Sequence, residues 1–298
     1  MELKVIKTIL KEEHQGFQGL THWLISVCVF LLMWLIPWSF SNEYISAISS
    51  NKAFALLIFF VIGGASLLPD LDSSPLQGGG SAAIYQLGFL GDILSMLCIT
   101  ISGVVYSIAH TRYDDKPKSQ HRMLFHAPII PILVFLYVKF LMPNGDGKLW
   151  GNINFENAGL LALVFFSSCA IYLGANMFIY KLLRLIGRQG ATQFICLFIM
   201  FISLIYMLNM PFYRLKLVGQ GLALGYLIHI LSDVLTKGSA PLFFPIPIPN
   251  AKGKLRLWWK PYILGPQFTI TTGGVLNIII NFALFGINIF LAWFIFIR

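Results

Sequence analysis

The sequence predicts an all-α fold, a polytopic transmembrane helix bundle with about seven crossings, and three observations carry that expectation. Hydrophobic residues make up 57% of the 298 and charged residues only 11%, at a mean hydropathy of +0.77; that is far more apolar surface than a soluble core hides. Apolar runs close to the roughly 20 residues that a bilayer requires recur along the chain. The Lys and Arg behind the net charge of +9 flank those runs. That placement fits orientation signals and contacts with anionic lipid, so membrane lipids are the expected partners and nucleic acid is not. Residues 1–298 therefore read as a single integral-membrane domain.

The first run, 22–40, reads as a retained span. The residues before it mix Lys4, Lys7 and Lys11 with Glu2, Glu12 and Glu13, and no small-residue cleavage site follows it. A second run, 53–69, ends in Pro69-Asp70-Leu71-Asp72. Segment 83–109 is apolar but carries Asp92 and the glycines Gly88, Gly91 and Gly103, and is expected to be re-entrant or interfacial, or a helical hairpin, returning to its own side. A shorter run, 127–142, is followed by 157–179 and 191–209, which read as an inserted helix pair over 157–209. The runs 218–236 and 274–297 complete the set. Cys28, Cys98, Cys169 and Cys196 lie singly in apolar runs without C-x-x-C spacing, which makes them small core residues rather than disulfide or zinc partners.

The path of 83–109 decides which polar residues meet. If it crosses, His22, Asp70 and Asp72 are separated from His121, His126, His229 and Asp233. If it returns, all seven reach one face, and most of the Lys and Arg fall on that face too, which the charge rule makes cytoplasmic.

Ionisable groups in or beside a bilayer persist when paired, solvated or bound to a cation. His229 and Asp233 are four apart in a helical run and share a face, a spacing suited to one metal ion. Asp70 and Asp72 are expected in an extended turn, two neighbouring carboxylates that repel unless a cation lies between them. His121 and His126, five apart, do not share a helical face. With Pro128 at the first helical position, His126 falls at the cap and His121 in the loop, which can fold both onto one centre. Arg122 offers a planar fork for phosphate or carboxylate. His22 is expected in the first turn of its helix with Thr21 as the cap. His14 and His110 lack such partners and read as surface or interface residues.

Imidazole and carboxylate donors without cysteine favour a divalent metal, zinc first, with manganese or iron possible. Seven candidates exceed one tetrahedral shell, so two or more ions with metal-activated water are expected, an arrangement suited to phosphoester hydrolysis. The H-E-x-x-H, G-x-S-x-G and Walker patterns are absent from the sequence, which removes support from protease, serine esterase and ATPase readings.

The ordered set His22, Leu68-Pro69-Asp70-Leu71-Asp72, His121-Arg122 with His126, and Leu224-Gly225-Tyr226-Leu227-Ile228-His229-Ile230-Leu231-Ser232-Asp233 with a following Pro245 resembles the YdjM-like bacterial inner-membrane proteins. These are described as membrane-bound metal-dependent hydrolases, LexA-regulated in some members. The resemblance rests on 15–75, 119–142 and 218–260. It departs from the usual pattern before the second His, where Met123 and Phe125 stand. It implies a helical membrane fold, an inner-membrane location and, by analogy with zinc-dependent phospholipases and nucleases, a helical multi-zinc phosphoesterase site.

The functional expectation is a membrane-embedded, metal-dependent phosphoester hydrolase facing the cytoplasm and acting on substrates such as lipid headgroups. Asp70 or Asp72 would be ligand or base, and Arg122 would hold the phosphate. The stretch Lys252-Gly253-Lys254-Leu255-Arg256-Leu257-Trp258-Trp259-Lys260 would lie on the anionic interface. The alternatives are a divalent-metal or proton-coupled transporter, for which Asp92 is the one hint of an ion path, and a non-catalytic protein with a structural metal site.

Overall fold

The computed structural model describes residues 19–33, 46–47, 51–72, 86–114, 122–143, 146–149, 157–185, 191–235, 239–250, 252–261 and 275–296. His14 and His121 lie outside them. The helices are α1 (Gly19–Met33), α2 (Lys52–Ala65), α3 (Phe89–Ala109), α4 (Ile129–Leu136), α5 (Ala158–Leu185), α6 (Thr192–Leu208), α7 (Phe212–Asp233) and α8 (Val275–Phe296). Each expected apolar run carries a helix over its described residues, with shifted ends. A two-residue antiparallel pair, β1 (Ile248–Pro249) with β2 (Leu255–Arg256), is the only sheet among the described residues.

Helix α2 is the centre of the bundle, packed against α5 and α7. Small residues set how close these helices come. A Cβ on Gly64 would stand 1.6 Å from the Ala170 carbonyl oxygen, and one on Gly225 would stand 2.2 Å from that of Ile62. Both are backbone contacts that no side chain fits. Helix α5, the first of the pair read as an insertion, thus touches the innermost helix.

Four segments are long and apolar enough to cross a membrane over their described residues: α2 extended to Asp72, α3, α5 as far as Tyr180, and α7. Helix α3 corrects one expectation. It is a single 21-residue helix running through Gly91 and Gly103, so 83–109 is not a helical hairpin. Glycine costs a helix little where the surroundings offer no competing partner for the backbone, and membrane helices tolerate it. Helix α3 begins where the left-handed Gly88 (φ 56°) ends the preceding turn.

Beyond α3 the chain is tied down by Asp114. Its Oδ2 accepts from the Thr111 N–H at 2.7 Å, and its Oδ1 accepts from the N–H groups of Leu257 and Trp258, both at 3.1 Å. Trp258 then packs with Met123, Leu124 and Phe244 in a small second core. This core seats the loop after β2 against the Arg122–His126 segment.

Candidate metal centre

Each element delivers its side chain for a local reason. Pro69 has no N–H to continue α2, and the chain turns into a 3₁₀ helix, Pro69–Asp72. The end of α2 leaves carbonyls without helical partners, and one of them, Ser66 O, accepts from His229 Nδ1 at 2.6 Å. A second 3₁₀ turn, Leu124–His126, precedes α4, whose N-cap is Pro128. Arg122 adopts a left-handed backbone (φ 59°), costly for a residue with a Cβ. In that conformation its N–H donates to Asp72 Oδ2 at 3.1 Å.

Three imidazoles meet with the same orientation. His229 Nδ1 faces a carbonyl, which can only accept, so this nitrogen carries the proton. His126 Nδ1 faces Asp72 Oδ2 at 3.1 Å. His22 Nδ1 faces Ser232 Oγ at 2.5 Å, and that hydroxyl spends its own proton on His229 O at 2.8 Å, leaving lone pairs to accept. With each Nδ1–H donated, each neutral ring turns an Nε2 lone pair to the interior. All three histidines are buried, as are Asp72 and Asp233.

The inward nitrogens converge on two carboxylates. His126 Nε2 and His229 Nε2 are 3.2 Å apart, and each is 3.4 Å from Asp233 Oδ2. Asp70 Oδ1 lies 3.6 Å from His126 Nε2 and 3.8 Å from His229 Nε2. A tetrahedron with bonds of about 2.0–2.1 Å has edges of about 3.3–3.4 Å, so these spacings are those of donors around one small cation. Two lone pairs at 3.2 Å repel unless a proton or a cation lies between them. His22, His229 and Asp233 form a second group able to hold an ion, with His22 Nε2 at 3.5 Å from the other Asp233 oxygen, Oδ1. The donor set therefore fits a divalent metal of the zinc, manganese or iron type.

In a metal-free chain a proton takes the cation's place at His126. Burial alone would lower its pKa, but Asp72 above all, with Asp70 and Asp233, outweighs it and raises the value from 6.5 to about 9. Arg122 pairs with Asp233 Oδ1 through its terminal nitrogen at 3.0 Å. Lys260 completes the surroundings. Its ammonium is held below the usual lysine range by burial first and then by Arg122, against the opposing pull of Asp72 and Asp233.

Six of the seven expected ligands and Arg122 thus come together, and His121 lies outside the described residues. Two details differ from expectation. Asp70 and Asp72 do not flank one cation; the 3₁₀ turn, unlike an extended one, sends Asp70 to the Nε2 side of His126 and Asp72 to its Nδ1 side. Thr21 lies within α1, which already runs through Gly19, and so does not cap it. His110 is exposed at the end of α3, stacked on Tyr106. Sequence reasoning missed the Ser66 carbonyl, the Ser232 hydroxyl and Lys260. Ser232, three residues after His229, was visible as a same-face neighbour; a carbonyl leaves no mark in a sequence.

The fold and the site together define a helical membrane protein with a buried His/Asp cluster able to hold metal. The chain belongs to the YdjM inner membrane protein family, whose model matches residues 17–298. That match includes the helices between the segments that carried the resemblance. No curated protein and no solved structure matches the chain.

Proposed function

We propose that this chain is a membrane-embedded, metal-dependent hydrolase of phosphoesters, lipid headgroups among them, whose site faces the cytoplasm. The observation that carries the reading is the convergence of three Nε2 lone pairs on Asp70 and Asp233, with every Nδ1–H anchored behind. Metal-ligating histidines are oriented in this way by carboxylates and carbonyls. A zinc, manganese or iron ion held there supplies Lewis-acid polarisation of a phosphoryl oxygen and an acidified water. The donors allow one ion or a pair sharing Asp233.

The chain's own residues divide the remaining work. Asp72, buried behind His126, fixes that ring and the Arg122 backbone, and is a positioning residue. Asp70, with its side chain 15% exposed, is at the accessible edge and serves as ligand or proton acceptor. Arg122 and Lys260 bring positive charge beside the acidic centre and draw in an anionic phosphoester. Seven crossings, with the single helix α3 lying along the interface so that 83–109 returns to its own side, belong to the same proposal. It is supported by the contact between Asp72 and Arg122, which brings the chain before and after α3 to one end of the bundle.

The test uses purified full-length protein, elemental analysis of bound metal, and turnover of a phospholipid and of an aryl phosphodiester. His229→Ala should lose metal and turnover together. Arg122→Lys should keep the metal and lose turnover, because the ammonium lacks the planar fork. Metal flux in proteoliposomes, without hydrolysis and abolished by Asp92→Asn, would replace the hydrolase with a transporter.

A further inference from the structure

Next to residues of the metal centre lies a cavity of about 180 Å³, walled by Leu71, Cys98, Phe125, Val134, Ala223 and Tyr226 among others. Part of its wall belongs to the elements that carry the site. Leu71 stands between Asp70 and Asp72, and Phe125 directly precedes His126. Tyr226 and Ala223 are three and six residues before His229 on α7, about 5–9 Å along the helix. The lining is carbon and sulfur apart from the Tyr226 hydroxyl, and that group is already given to Phe125 O at 2.7 Å. Phe166 also lines the cavity and is 40% exposed, so one wall reaches the apolar outer surface of the bundle.

An apolar cavity of this kind does not hold water, and an empty one costs stability. Inside a bilayer the available filler is hydrocarbon. The donors for a cation are chain neighbours of the lining residues, Arg122 is paired with one of those donors, Asp233, and the Lys260 ammonium feels Arg122, Asp72 and Asp233. One end thus suits an apolar chain and the other an anionic, metal-liganding group, within one molecule's reach.

We propose that this cavity binds an acyl chain of a membrane lipid and thereby presents the lipid's anionic headgroup to the metal centre. The proposal deepens the phosphoester reading and rests on it for the headgroup alone. It assigns the substrate class as a lipid drawn from the plane of the membrane, selected by its chain before its headgroup.

The experiment uses full-length protein in lipid nanodiscs and a phosphatidic acid carrying a photoreactive diazirine in one acyl chain. Label should map to Cys98, Val134, Ala223 and their neighbours. Ala223→Phe, which fills the cavity, should reduce that labelling at least tenfold while bound metal is unchanged. Val134→Trp, from α4 rather than α7, should do the same if the first variant fails to fold. Unlabelled phosphatidic acid should compete, and squalane, which has no headgroup, should not. Label confined to the outer apolar surface, equal label in the filled variants, or equal competition by squalane would overturn the proposal. The readout requires no turnover, so a chain that labels here and hydrolyses nothing keeps the lipid site and loses the hydrolase.

Discussion

Helices α3 and α7 are nearly the same length, at 21 and 22 residues, and both are apolar enough to span a bilayer, yet of the two only α7 supplies the metal centre. Helix α7 is mostly buried and carries His229, Ser232 and Asp233; α3 is mostly exposed and contributes no donor to the centre. The difference lies in side-chain size. Gly219 and Gly225 let α7 approach its neighbours until a Cβ would collide, whereas Ile93, Met96, Leu97, Ile101 and Val104 turn large side chains outward from α3. In a bilayer, where lipid is as apolar as leucine, close approach of small residues rather than hydrophobicity decides which helix goes inside.

The harshest test of that contrast is Gly225→Val. The new side chain meets the Ile62 backbone, which cannot retreat without moving Ser66 and releasing His229. A loss of more than about 4 kcal/mol is expected, seen as failure to purify as a folded monodisperse protein. A normally folded variant would show that the α2–α7 crossing is not tight.

Next in size is a pH effect confined to the buried side. In metal-free protein His126 has its pKa raised from 6.5 to about 9. A raised histidine stabilises the fold below its unfolded value, so the contribution is complete below pH 6.5 and lost as pH climbs through 9. It amounts to roughly 3 kcal/mol. Thermal unfolding with a chelator should therefore fall steeply between pH 6.5 and 9.5. Metal-loaded protein should lack this slope, because a liganding Nε2 holds no proton.

Ser232→Ala removes the acceptor that fixes His22, together with the hydroxyl's own donation to His229 O. A 10–100-fold weaker hold on metal is expected, measured by chelator competition. Asp92→Asn, on the exposed face of α3, should leave metal affinity unchanged.

The smallest effect is expected on the outer side. A Cβ at Gly286 in α8 has open space around it, and Gly286→Ala should raise unfolding stability by about 0.5–1 kcal/mol. A loss would mean that α8 is covered by something more closely fitted than lipid.

The same contrast explains what the sequence revealed. His229 and Asp233 were legible because a helix fixes the geometry of positions four apart. The four helices long and apolar enough to cross a membrane were legible because bilayer thickness sets the length of an apolar run. Asp72 was misplaced because an extended and a 3₁₀ turn differ by dihedral angles that Pro69 does not determine. The glycines of 83–109 suggested a break because in water glycine weakens helices. Lys260 was legible only as part of a basic stretch; its place within the field of Arg122, Asp72 and Asp233 follows from the Asp114 grip on the backbone of Leu257 and Trp258.

One hydrogen bond also sets a timetable. Ser66 O and His229 Nδ1 are 163 residues apart in the chain. At about 5–20 residues per second of synthesis, the carbonyl waits roughly 8–30 seconds in the membrane for its imidazole. His22, Asp70 and Asp72 wait with it. The nascent protein therefore passes through a stage in which two carboxylates are already inserted and the donors meant to face them are not yet made. Both candidate metal groups include His229, so neither is complete before α7 emerges, and a chain stopped short of His229 carries His22, Asp70, Asp72 and His126 without the ligands of that helix.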